Sequence, residues 1–291
     1  MRRRRDRGAG ASGHVAGGRV HGHHRKERPV SAVAAEWIKL RSLRSTWWAL
    51  GIGVLMSLAL TVLGASTVIS RWDPARTSDQ AAMGIVVAVY VGVILAQLPL
   101  GMLGTMTISG EHASGMIDTT FVATPSRARV LLAKAAVLTG VAVGASLLIS
   151  VPGYLVARLV AAEFRPSLLP AGAWTVIAGG TLMIVSTTLL GLALGTILRN
   201  GAVATAALVA IVVVLPFLAM NLPWGEQISP FLPMYPALQL IEQVPDIMPT
   251  WTAFTAVAAW AVVPLAVAVI ADEPATVRGR KREWTGRGPD L

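Results

Sequence analysis

AGAWTVIAGGTLMIVSTTLLGLALGTILRNGAVATAALVAIVVVLPFLAMN (171–221) carries one basic residue, Arg199, and no acidic one. Arg199-Asn200 separates two apolar runs, 171–198 and 201–221. A helix that crosses the roughly 30 Å hydrocarbon core needs about 20 largely apolar residues at about 1.5 Å rise each. Both runs are long enough to span, and the two-residue break between them predicts a tight helical hairpin. Four more segments qualify, approximately 46–69, 84–107, 130–157 and 251–271. None of the six contains Asp, Glu, Arg or His, and the one charge within them is Lys134, near an end of the third. The expected fold is an all-α integral membrane protein with six transmembrane helices over 46–271.

Composition excludes the alternatives. Of 291 residues 54% are apolar and 14% charged, against about 25% charged in a soluble domain. The net charge of +10 would suggest nucleic acid if the basic residues lay on a folded face, but they avoid the apolar segments. No nucleic-acid partner is expected. Cysteine is absent, which removes disulfides, thiolate metal sites and cysteine nucleophiles. The basic residues do report orientation. Of the 25 Lys and Arg, 21 fall on one predicted side of the membrane and four (Arg71, Arg76, Arg158, Arg165) on the other. By the positive-inside rule both termini are cytoplasmic, in agreement with an even number of spans.

Residues 1–30 are rich in Arg, Gly and His, show no apolar period, and cannot repay their ordering entropy. They read as a disordered basic cytoplasmic tail or an over-extended gene start, with attraction to anionic lipid as the functional alternative. The histidines at 21, 23 and 24 have no fixed geometry for a metal, and the first apolar run is too long for a signal peptide. Residues 272–291 form a second cytoplasmic tail. Between the amino tail and the first span, SAVAAEWIKLRSLRS (31–45) differs in kind. On a helical wheel Val33, Trp37, Leu40 and Trp47 share one side, Lys39 and Ser42 oppose them, and Arg44 intrudes on the apolar side. Tryptophans beside Arg41, Arg44 and Lys39 suit the headgroup level, so an interfacial helix is expected. A plain extension of the first span is the alternative.

The missing chemistry narrows the function. No lysine follows a glycine, so the nucleotide-cradling G-x-x-x-x-G-K-[ST] loop is absent. The H-E-x-x-H zinc motif is absent as well, and span centres without Asp, Glu or His disfavour intramembrane proteolysis and a proton relay. No catalytic residue, cofactor or metal ligand is expected in this chain. Energy for uphill movement would come from another chain.

The loop TISGEHASGMIDTTFVATPSRARVLLAK (107–134) holds the remaining signal. Ser109-Gly110 reads as the end of the second span, and Ser114 as the cap of a short helix over about 115–123. Pro125 stops that helix, and Arg127 and Arg129 stand at the mouth of the third span. Within the spans, Gln97 precedes Pro99, Gly101 and Gly104. Gly140/Gly144 and Gly191/Gly195 are G-x-x-x-G pairs, and Thr181, Ser186, Thr187, Thr188 and Asn221 could bond between helices. Gln97, Pro99, Gly101, Gly191 and Gly195 are candidates for cavity lining or packing.

Two stretches carry a family resemblance. AEWIKLRSLRSTWWAL (35–50) is similar to an E-x-x-K-L-R-S-x-R-S-T-x-W entry, and ISGEHASGMIDTTFVATPSRARVLLAKAAV (108–137) to G-E-[YH]-x-x-G-[MT]-I…P-x-R…K. Together they cover about a sixth of the chain. The sequence resembles ABC-2 permease subunits of ABC transporters, particularly those of actinobacteria. The resemblance implies an interfacial connecting helix containing Trp37, Lys39, Leu40, Arg41 and Arg44. It also implies a cytoplasmic coupling helix between spans 2 and 3, with Gly110, Glu111, Gly115, Met116, Thr119, Thr120 and Arg127 in the region that docks on an ATP-binding subunit. Glu111 would pair with a basic residue of that partner or with Arg127. ATP-Mg would be held by the partner. A second permease copy and membrane lipid complete the implied assembly, in a bacterial plasma membrane exporting an amphipathic drug, antibiotic or lipid. The competing reading is a non-transporting six-span scaffold or an accessory subunit of a signalling complex.

Overall fold

The computed structural model describes residues 32–70, 78–114, 127–160, 173–233, 235–236 and 249–271, and among these there is no strand. Both tails and all of 115–123, the segment expected as a coupling helix, lie outside the described residues. Helix α1 (Ala32–Ser42) ends at Leu43, and α2 (Arg44–Ser70) follows. Then come α3 (Ser78–Ala113), α4 (Arg127–Val160) and α5 (Ala173–Leu198). Helix α6 (Gly201–Val209) passes through a π-turn (Ala210–Val214) into α7 (Leu215–Met220). A short α8 (Gly225–Ile228), a 3₁₀ turn (Ser229–Phe231) and α9 (Thr250–Ala271) complete the order.

Six stretches are long and apolar enough to cross a membrane: Arg44–Thr67, Ala88–Ala113, Ala128–Val160, Ile177–Leu198, Gly201–Ala219 and Trp251–Ala271. These match the six apolar segments of the sequence, with one correction. Ser109-Gly110 does not end the second span. Helix α3 runs on to Ala113, with the Ser109 hydroxyl donating to the Thr105 carbonyl at 2.7 Å. Ser114, read as the cap of the next helix, donates its hydroxyl back to the Gly110 carbonyl at 2.8 Å. These local bonds occupy carbonyls near the helix end, and they keep Glu111 on helical backbone.

The hairpin at 199–200 forms as its sequence suggests. The Asn200 side-chain oxygen accepts from the backbone N–H of Ala202 (3.0 Å) and Val203 (3.2 Å), while Arg199 takes a positive φ of 53° to reverse the chain. The fifth span departs from a plain helix. Proline 216 lacks an N–H and its ring would crowd the carbonyl four residues earlier. The Leu215 N–H instead reaches the Ala210 carbonyl, which is the i→i−5 bond of a π-turn.

Span 4 (α5) is the centre of the bundle, and small residues bring α3 against it. A side chain at Gly104 would strike the Thr188 carbonyl, and one at Gly191 the Gly101 carbonyl. At Gly195 it would meet the Thr105 carbonyl at 2.8 Å, and at Gly101 the Leu208 side chain at 2.7 Å. Gly140 and Gly144 behave differently. Among the described residues nothing lies within 4 Å of a methyl placed at either, so this G-x-x-x-G pair packs against no described helix.

Hydroxyls fasten the remaining spans. Ser146 and Thr181 meet at 2.8 Å between α4 and α5, Thr105 and Thr205 at 3.1 Å between α3 and α6, and Ser186 donates to the Val257 carbonyl of α9 at 2.8 Å. At the opposite end from the 199–200 hairpin, Trp260 donates its indole N–H to the Phe231 carbonyl at 2.7 Å, pinning the short helices after span 5 to span 6.

Replacing Gly191 with Ala forces a methyl onto the facing backbone and should cost about 1–3 kcal/mol by overpacking. The same change at Gly144 should stay within about 0.5 kcal/mol of wild type, being an open surface site. Detergent-unfolding midpoints of the two variants check this, and equal losses would refute the α3–α5 contact.

Candidate functional site

Four charged side chains meet where α1, the end of α3 and the start of α4 come together. Lys134 of α4 donates to Glu36 Oε2 of α1 at 2.6 Å and to Glu111 Oε1 of α3 at 2.7 Å. Lys39 of α1 donates to Glu36 Oε1 at 2.9 Å and to Glu111 Oε1 at 3.2 Å. Two carboxylates and two ammonium groups make the cluster neutral. The Lys134 side chain is 3% exposed, those of Glu36 and Glu111 7%, and that of Lys39 34%. Lys39 therefore sits as the rim of a closed pair of ion bridges.

Local sequence explains the arrangement. Glu36 and Lys39 are three residues apart on α1 and share a face, with Leu40 one position further inward. Lys134 lies two helical turns into α4, where a lone ammonium would be costly to desolvate. Several kcal/mol per buried ion is offset only by close, hydrogen-bonded partners. Two carboxylates at 2.6 and 2.7 Å supply them. For Lys39, burial alone would lower the ammonium pKa, but the hydrogen bond it donates to Glu36 and the charges of Glu111 and Glu36 outweigh it and raise the pKa above 10.5. Its contribution to stability is complete below that ordinary value and is lost only as pH climbs through the raised one.

The pairing decides which way α1 faces, and it corrects the expected wheel. Lys39 belongs to the inward face with Glu36 and Leu40; Val33, Trp37 and Ile38 are left outside at 47, 49 and 63% exposure. The break after α1 is fixed by Thr46, whose hydroxyl reaches back to the Leu40 carbonyl at 2.8 Å. Arg41 and Arg44 are exposed on either side of it.

Glu111 was expected to pair with a partner's base or with Arg127; its neighbours are instead Lys134 and Lys39 of its own chain. Arg127 opens α4, but its side chain lies outside the described residues, as do Gly115, Met116, Thr119 and Thr120. Gly110 is exposed within α3. Glu36 was missed. The signal was available, because a single intramembrane lysine requires acids at the same end of the bundle, and Glu36 and Glu111 flank it. Gln97 is 2% exposed and its Oε1 accepts from Thr187 at 2.8 Å, which makes it a tie between α3 and α5 in this conformation. Pro99 lies inside α3 beside it.

The architecture has a recognisable counterpart. The family described as ABC-2 family transporter protein matches residues 32–217, from the first residue of α1 into the fifth span. The chain belongs to the ABC-2 transporter family. No curated protein matches it. Members of the family are membrane subunits of transporters, so this ABC-2 permease is a transport protein of the membrane. The family match starts with α1, and it includes every residue of the ion network.

Removing Lys134 as Met leaves two buried carboxylates sharing Lys39, and should cost about 3–5 kcal/mol. Adding Glu36→Gln and Glu111→Gln to that variant removes the stranded charges and should recover most of the loss. Chemical unfolding of the single and triple variants tests the pair, and a triple variant no better than the single one would contradict the network.

Proposed function

We propose that this ABC-2 permease is the membrane-spanning half of an ABC exporter in a bacterial plasma membrane. Its termini are cytoplasmic, and it pairs with a second permease copy and with ATP-binding subunits that hold and hydrolyse ATP-Mg. The observation that carries this reading is the ion network at the two roots of the 107–134 hairpin. Glu111 lies in the last turn of α3 and Lys134 two turns into α4, and Lys134 pairs with both Glu111 and Glu36, which joins the two helices to α1. A push on the hairpin from below is thereby delivered to three helices together, because separating any of them strands a buried charge. Family membership and the bias of 21 basic residues toward that end support a cytoplasmic partner there.

Residues 110–127 form the docking region in this reading, with Met116, Thr119 and Thr120 as its contact face. Closure of the ATP-binding subunits tilts the hairpin and shifts the spans between inward- and outward-open states, a population shift set by differential contacts. The substrate is amphipathic, such as a drug, an antibiotic or a lipid-like molecule. The absence of ionisable residues from the span centres supports an uncharged path and disfavours a charged nutrient.

The test is co-purification with an ATP-binding subunit encoded beside this gene. Met116→Asp, which lies outside the ion network, should abolish assembly and stimulation of ATP hydrolysis while leaving the permease folded. Unchanged assembly would overturn the docking assignment. For orientation, cysteine introduced at the exposed Gln227 should react with an impermeant thiol reagent in intact cells. Reaction of a cysteine in the amino tail instead would invert the topology.

A further inference from the structure

We propose that the elbow between α1 and α2 is a binding site for the phosphate headgroup of an anionic phospholipid. The sequence turns at Leu43, and the two guanidinium groups nearest the turn, Arg41 and Arg44, are exposed. Among the described residues neither has an acidic partner. The acid of the same helix, Glu36, is buried on the opposite face and is spoken for by Lys134 and Lys39. Each arginine has a tryptophan four residues away on its own helix, Trp37 before Arg41 and Trp48 after Arg44, which places both rings on the helix surface beside a cation. A third ring closes the elbow. Trp47 donates its indole N–H to the Arg41 carbonyl at 3.1 Å and so bridges the break.

The three indoles are 49, 60 and 70% exposed for Trp37, Trp47 and Trp48, with Ile38 at 63% beside them. Large exposed rings and guanidiniums without an acidic partner among the described residues, gathered about one break in the chain, match the boundary where acyl chains meet headgroups. An acidic protein face would satisfy the arginines but would leave the rings without an apolar phase. A zwitterionic lipid would satisfy the rings but would set its own cation against the arginines. An anionic phospholipid meets both demands, with guanidinium well suited to a phosphate. Since the other face of this eleven-residue helix carries Glu36 and Lys39 of the ion network, an occupied elbow also fixes where that network sits. The site thus makes the hairpin sensitive to the charge of the surrounding bilayer; this last clause rests on the coupling role proposed above, whereas the binding itself does not.

The experiment uses the full purified chain in detergent, without an ATP-binding subunit, titrated with phosphatidylglycerol or phosphatidylcholine. Retained lipid is read by native mass spectrometry and thermal midpoint by intrinsic tryptophan fluorescence. Wild type should retain phosphatidylglycerol in preference to phosphatidylcholine and gain thermal stability from it. At about fivefold per basic residue near an anionic surface, Arg41→Gln with Arg44→Gln should reduce that preference by about twenty-five-fold. Arg129→Gln with Arg199→Gln, two exposed arginines at the same end of the bundle, should leave it within twofold; the basic tail is common to all and cancels. An elbow variant that keeps the preference, or a control pair that loses as much, overturns the site in favour of a general positive field.

Discussion

The ammonium of Lys134 sits between two carboxylates at 2.6 and 2.7 Å, on a side chain that is 3% exposed. Much of this end of the molecule follows from that constraint. Helix α3 has to continue past Gly110 so that Glu111 arrives at the right height, and α1 has to present Glu36 inward even though Trp37 and Ile38 are then left outside. The break at Leu43 allows α1 to make that approach while α2 departs as a span. A pair of this kind adds little net stability relative to an apolar replacement of the same shape, but it strongly penalises every arrangement that separates its members. What it contributes is a unique relation between three helices.

The rest of the bundle is held by a different force. Lipid tails are as apolar as leucine, so spans gain nothing from hiding apolar surface from one another, and close contact has to come from shape. Gly101 and Gly104 on α3 and Gly191 and Gly195 on α5 provide it, letting backbone meet backbone where any methyl would collide. Gln97 and Thr187 add a hydrogen bond at the same interface. A close backbone contact and the ion network thus lie on the same helix, α3, one along its length and one at its end. Displacement of its end is therefore passed directly into the core.

How much of this could be read beforehand depended on the range of the interaction. Span existence needs only a count of consecutive apolar residues, and all six were legible. So was the tight hairpin at Arg199-Asn200, although the Asn200 cap that starts its second helix, a bond reaching two and three residues, was not read. The helix end at Gly110 was misread because glycine signals a stop only when no side chain nearby closes the carbonyls, and Ser114 closes one. The face of α1 was misread because apolar periodicity outweighed a single glutamate whose partner lies 98 residues away. Gly140/Gly144 and Gly191/Gly195 have the same spacing; among the described residues only the second pair meets a neighbour. Spacing can mark a permissive surface without saying whether anything occupies it. The π-turn was hidden for a similar reason, since Pro216 announces a disturbance but not its form.

The order of the charges along the chain matters for how the protein enters a membrane. Ribosomes deliver Glu36 first, Glu111 next and Lys134 last. The acidic side of the network is therefore already in place when the helix that brings a lysine toward hydrocarbon emerges. A lysine at the centre of a lone spanning helix opposes insertion by about 2.5–3.5 kcal/mol on translocon scales, and less toward an end. Here its counter-ions are waiting. Span 3 can partition as a neutral unit with span 2 and α1, so the network that fixes the finished structure also eases its assembly.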